Sequence, residues 1–222
     1  MTGGEMSVVE TAATMLGGLG DTLFLTITAL VIGVAIGVPV AAARGSHNAV
    51  LQVVGTAYIE IARGIPPIAW LFLLFFGLTQ FNVRMSNMTA SVLGLGLIAG
   101  AYMAEIYRSS LAAVPAGQYE AARALAMGRA SAFFSVTLPQ AVVTGLPQGV
   151  AFGIGLLKDS AIASVIGVGG VTTIALMLSR RSLDALTIFL ICGLVYMIIS
   201  VPTSFLGRWA GNRLAQRLGV AQ

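Results

Sequence analysis

The chain has 222 residues, of which 57% are hydrophobic and only 9% charged, with a net charge of +4. A soluble domain carries about 25% charged residues, so this composition excludes an ordinary water-exposed fold and points to the bilayer as solvent. The positive charge is spread over loops and the C-terminus, which suits a topology signal better than a nucleic-acid surface.

The N-terminal stretch MTGGEMSVVETA is acidic and lacks the basic start of a cleavable leader, so none is expected. The first apolar run covers 19–43, long enough for a hydrocarbon core of about 30 Å, and ends in the polar turn Arg44 to Asn48. The second run, 49–80, is interrupted by Glu60-Ile-Ala-Arg63-Gly64-Ile-Pro66-Pro67. Two prolines after a glycine remove backbone donors and predict a break there. A short polar loop, 80–88, leads to a third run, 89–112, rich in Gly and Ala, with Glu105 and Arg108 near its end. The longest polar stretch follows, 113–140. The fourth run, 141–168, is interrupted by Lys158-Asp159-Ser160, and the fifth covers 185–207. Arg208, Arg213 and Arg217 mark a tail that reads as an interfacial amphipathic helix.

These runs predict one all-α integral membrane domain over 1–222 with about five transmembrane helices. With the N-terminus outside, the inside carries Arg44, Arg108, Arg123, Arg129, Arg208, Arg213 and Arg217, against Arg84, Arg180 and Arg181 outside. The bias sets the orientation as N-out and C-in. Cys192 lies alone in an apolar run and reads as packing.

Within the polar stretch, Pro115 suits a helix start, and Gln118 to Ala126 is strongly helix-forming. Gly128 reads as a left-handed stop, Ser131 as the cap of a second short helix over 132–137, and Pro139 as its end. Glu120-Ala121-Ala122, Gly128 and Leu138-Pro139 resemble the EAA loop of binding-protein-dependent ABC transporter permeases. Four further segments resemble the polar amino acid branch of that family, the histidine/glutamine/arginine type. They are 18–44 with Thr22 near its start, the E-x-x-R-G-x-P of Glu60 to Pro66, AYMAEIYR at 101–108 and LLKDSAIASVIGV at 156–168.

The resemblance implies a type I ABC importer permease fold in the bacterial cytoplasmic (inner) membrane. It implies a second permease subunit, identical or homologous, two ATP-binding subunits that carry ATP and Mg, and an extracytoplasmic solute-binding protein. The loop around Glu120 would sit in a cleft of the ATPase and pass its closure to the spans. No G-x-x-x-x-G-K-[ST] phosphate loop, H-E-x-x-H or Cys/His cluster is present. His47, the sole histidine, has no second ligand nearby. The chain is therefore expected to be no enzyme, with neither metal nor cofactor of its own.

Charges inside a membrane persist when paired or when they line a cavity. Glu60 with Arg63, and Glu105 with Arg108, are three apart on a helix and read as ion pairs. Lys158 and Asp159 read either as a pair bridging spans or as a substrate site at a helix break. In the second reading Lys158 and Arg63 take a substrate carboxylate and Asp159 its ammonium. Gly64, Pro66 and Ser160 neighbour the breaks, and Tyr102 either packs or faces the cavity. The alternatives are a permease for a compatible solute or methionine-like substrate, an ion-driven secondary transporter, and a membrane assembly protein without a cavity.

Overall fold

The computed structural model describes residues 7–182 and 184–217, and among these all regular structure is helical. Met1 to Met6 and the last five residues of the expected tail lie outside the described residues. The helices are α1 (Val8–Leu16), α2 (Leu19–Arg44), α3 (Ala49–Gly64), α4 (Pro67–Phe72), α5 (Asn87–Ala112), α6 (Ala116–Ala124), α7 (Arg129–Ala132), α8 (Leu138–Asp159), α9 (Val171–Ser179) and α10 (Ala185–Arg217). Four continuous helical stretches are long and apolar enough to span a membrane, Leu19–Arg44, Asn87–Ala112, Arg129–Ile166 and Ala185–Gln216. A fifth span is the bent pair Ala49–Gly64 and Pro67–Phe81.

α5 is the axis of the bundle. Its middle, Leu95 to Ala104, is mostly Gly, Ala and Leu, and nearly every residue from Ala90 to Ala104 is buried. Small residues let helix backbones approach closely where lipid supplies no hydrophobic drive. A Cβ on Gly33 of α2 would strike Ala99, and one on Gly96 would strike Ile32. Leu25, Ala29, Leu71, Leu95 and Leu156 close the main core around this contact.

The break in the second span follows from its prolines. Ile65, which precedes Pro66, is extended at φ −92°, ψ 128°, as the residue before a proline must tend to be. Pro67 then starts α4, which leaves at 101° to α3. In an unbroken helix the Ala62 carbonyl would accept from residue 66, but proline has no N–H. The Trp70 indole supplies the donor instead, at 3.3 Å.

At the outer end, α2 meets the glycine segment before α9. The Gly18 Cα sits against the Gly170 backbone so closely that no side chain fits. Gly167 and Gly170 both hold positive φ, 80° and 153°. Thr22 Oγ1 accepts from the Val171 N–H at 3.1 Å and donates to the Gly18 carbonyl.

Several expectations need correction. In the polar stretch the left-handed residue is Ala126, at φ 53°, while Gly128 is extended and precedes α7. Ser131 lies inside α7 and caps nothing. Pro139 ends no helix, because helix continues from Arg129 to Ile166. A π-helical turn, Phe133–Thr137, precedes it, with the Leu138 N–H on the Phe133 carbonyl. That register shift accommodates a proline within a continuous helix. The C-terminal tail is no separate interfacial helix. α10 has 33 residues, about 50 Å at 1.5 Å each, so it outruns the bilayer core as one rod. Gly211 on α10 packs against Pro147 of α8, and a Cβ on Gly207 would strike Val150.

Two helices went unread. α1 opens with a capping box, the Ser7 N–H donating to Glu10 Oε2 and the Glu10 N–H to Ser7 Oγ. Its Met15 packs into a second core with Val171, Ala175, Ile191 and Cys192. α9, in the segment read as a loop, supplies the other side of that core.

Candidate functional site

The loop between α5 and α8 presents α6 as an exposed single helix. Glu120 and Ala121 face solvent, while Ala122 is 4% exposed and anchors the loop. The turn after α6 is closed by the Ala126 N–H on the Arg123 carbonyl and the Met127 N–H on the Ala122 carbonyl. Gly128 is exposed, and a Cβ there would meet nothing. Leu138 and Pro139 are half-buried at the start of α8. Leu125 and Phe134 expose large apolar side chains beside the loop. Such a surface fits a second protein better than water.

Of the residues expected to bind substrate, the structure brings Arg63 and Tyr102 together. The guanidinium lies 4.9 Å from the centre of the Tyr102 ring, within cation–π range. Tyr102 in turn stacks on Phe152, with centroids 4.9 Å apart and planes at 23°. The stack joins the end of α3, the middle of α5 and the middle of α8. Arg63 and Tyr102 are both exposed on the isolated chain. Gly64 is open on its side-chain face, and Pro66 is exposed at the bend.

Phe152 was not anticipated, because an aromatic in an apolar run carries no signal of its own. Asp159 lies seven residues on, two helical turns along the same face of α8. Lys158 is rotated by about 100° from that line and is exposed, while Asp159 is half-buried. At this point α8 changes to a 3₁₀ turn, Ser160–Ile166, so the backbone alters its course beside both charges. Ser160 is buried and donates to the Leu157 carbonyl at 2.7 Å.

The ion pairs differ from expectation. Among the described residues, Glu60 and Arg63 form no salt bridge, because Arg63 turns to the Tyr102 ring instead. Glu105 does meet Arg108, through Nε at 3.8 Å. Its closer partner is Arg44 at the end of α2. Sequence spacing points only to neighbours on the same helix, so a pair from another span had no signal.

Residues 29–216 match the family of binding-protein-dependent transport system inner membrane components. The probable amino-acid ABC transporter permease protein YckA of Bacillus subtilis is 31% identical over 86% of this chain and 84% of that protein. The L-cystine transport system permease protein TcyB of the same organism is 34% identical over 89% of this chain and 85% of its own. A crystal structure of an amino acid ABC transporter with histidines superposes with a TM-score of 0.88 at 35% identity, covering 96% of this chain and all of that one. The inward-facing MetNI methionine ABC transporter gives 0.71 at 23% identity over 92% of this chain and 96% of that one, a likeness of fold. The chain belongs to the family of inner membrane components of binding-protein-dependent transport systems, and has its type I ABC permease fold.

Proposed function

We propose that this chain is the membrane-spanning half, or one of two homologous halves, of an importer for a polar amino acid. Two permease subunits work with two ATP-binding subunits, which hold ATP and Mg, and an extracytoplasmic binding protein delivers the substrate. ATP binding closes the ATPase pair, the loop around Glu120 follows, and the spans open the path to the outside. Hydrolysis reverses this. The coupling surface is Glu120, Ala121, Ala122 and Gly128, with Leu138 and Pro139 where the loop enters α8.

The observation that carries the substrate reading is the Arg63–Tyr102–Phe152 stack. An exposed guanidinium held over an aromatic face keeps its edge donors for a carboxylate. Asp159, on the Phe152 face of α8, suits the substrate ammonium. Lys158 belongs to the proposal as a second carboxylate partner, reached when the helix end rotates. Gly64 and Pro66 supply the bend that presents Arg63. Ser160 fixes the helix end through its bond to Leu157. Relatives named for cystine, nopaline and arginine transport agree with substrates carrying both charges.

The test is ATP-driven uptake of single amino acids into proteoliposomes holding the chain with its ATPase partner. Arg63→Ala is expected to weaken half-saturation about tenfold or more, as loss of a charge-assisted bond does, while the ATPase still co-purifies. Asp159→Asn should do likewise. Unchanged half-saturation in both variants would remove the site. Glu120→Arg is expected to abolish co-purification. Uptake that needs an ion gradient and no ATPase would favour the ion-driven transporter instead.

A further inference from the structure

Between α2, α5, α8 and α10 runs an apolar groove of about 1200 Å³. Val34 and Val38 form one wall, Gly149 and Gly153 the other, with Met103 in the floor. It lies apart from the Arg63–Tyr102–Phe152 stack, none of whose members line it. Val34 and Val38 are also exposed, so the groove opens onto the outer surface of α2 on the isolated chain. One charged residue lines it, Arg108, at the cytoplasmic end of α5.

The charge at that mouth has a definite balance. Arg44 and Arg108 carry two positive charges and Glu105 one negative, and Arg44 is the closer partner of the carboxylate. Arg108 approaches it through Nε at 3.8 Å, with its side chain 42% exposed. The remaining N–H donors of the guanidinium are therefore available for an anion. Basic pockets between spans on the cytoplasmic side suit acidic lipid head groups.

We propose that the groove is a site for an anionic phospholipid of the cytoplasmic leaflet. Its acyl chain fills the slot between α2 and α8, and its phosphodiester meets Arg108. An apolar wall open to the bilayer selects a lipid chain, and a lone guanidinium at the mouth selects a negative head group. A packed transmembrane helix from another chain would satisfy the wall but leave the guanidinium without an anion.

The experiment is native mass spectrometry of the full chain from detergent, incubated with equal amounts of dioleoyl phosphatidylglycerol and dioleoyl phosphatidylcholine. Wild type is expected to retain phosphatidylglycerol at least tenfold over phosphatidylcholine. Arg108→Ala should bring the ratio close to one, and Arg108→Lys should keep most of it. Val142→Trp, which puts an indole into the slot from an exposed position, should lower retention of both lipids. Arg108→Ala changes an exposed side chain, and its monodispersity by gel filtration separates lost binding from lost fold. Equal retention of the two lipids by wild type, or an unchanged ratio in Arg108→Ala, would overturn the proposal. So would a disulfide between Val34→Cys chains that excludes lipid, since it would put a second copy in the groove.

Discussion

Ala126 holds φ 53° in the turn between α6 and α7. A side chain in that region costs roughly 1–2 kcal/mol against the Cβ, and the turn is fixed there by two backbone hydrogen bonds. Ala126→Gly removes the clash but gains freedom in the unfolded chain. The net expectation is stabilisation by about 0.5–1 kcal/mol, read as slower hydrogen exchange at the Met127 amide. The sequence placed the left-handed residue on Gly128 because glycine is the usual choice. What the chain uses instead is a turn two residues earlier, and no spacing rule marks an alanine for it. Asp184 gives a second residue-scale expectation. It stands before α10, outside the spans, and accepts from the Thr187 N–H at 3.1 Å. The hydrogen bonds from Thr187 hold its carboxyl below the usual carboxylate range. A folded pKa lowered in this way stabilises above the unfolded value of about 3.9, and the contribution is lost as pH falls through the folded pKa. The protection of the Thr187 amide against exchange, relative to its intrinsic rate at each pH, should fall below about pH 4 in wild type. Asp184→Asn should remove that pH step.

At the scale of elements, the contact between α2 and α5 rests on glycines facing backbone. Gly33→Leu would drive a branched side chain into Ala99, and overpacking of this kind costs about 1–3 kcal/mol. Gly155→Ala, where a Cβ meets nothing, serves as the control and should keep or slightly raise the thermal midpoint, since alanine favours the helix over glycine. A midpoint for Gly33→Leu equal to wild type would show that the two helices part without cost. Element breaks were legible where the cause was local. Pro66 and Pro67 act through their missing N–H groups and on the residue before them, and the 101° bend lies where they stand. Pro139 misled because its effect depends on the π turn before it, which a residue pattern does not display. The capping box Ser7 to Glu10 was present in the sequence as S-x-x-E, but α1 is too short to span and so drew no notice beside the apolar runs. α9 stayed hidden for the same reason. The Arg44–Glu105 pair was illegible because it joins residues 61 apart, through the packing of α2 on α5.

At the scale of the molecule, the exposed loop is joined to the outer half of the fourth span by one continuous helical path, Arg129–Ile166. Phe152, Lys158 and Asp159 all lie on it. A displacement of the loop therefore reaches the proposed site through a rod and needs no relay of side chains. One weak point of that rod is its π turn, Phe133–Thr137, where hydrogen bonding is already displaced. Val136→Gly together with Thr137→Gly would add about 0.3–0.5 kcal/mol of helix cost at each position and allow bending between loop and span. The expected result is a chain that still co-purifies with its ATPase and hydrolyses ATP, but whose uptake per ATP falls severalfold. Gly128→Val separates the other half of the argument. Its Cβ meets nothing and its φ is −64°, so the isolated chain should keep its stability within about 0.5 kcal/mol. Loss of the ATPase complex in that variant would then report contact with the partner at Gly128. Retention of both complex and uptake would place the partner's grip elsewhere on α6.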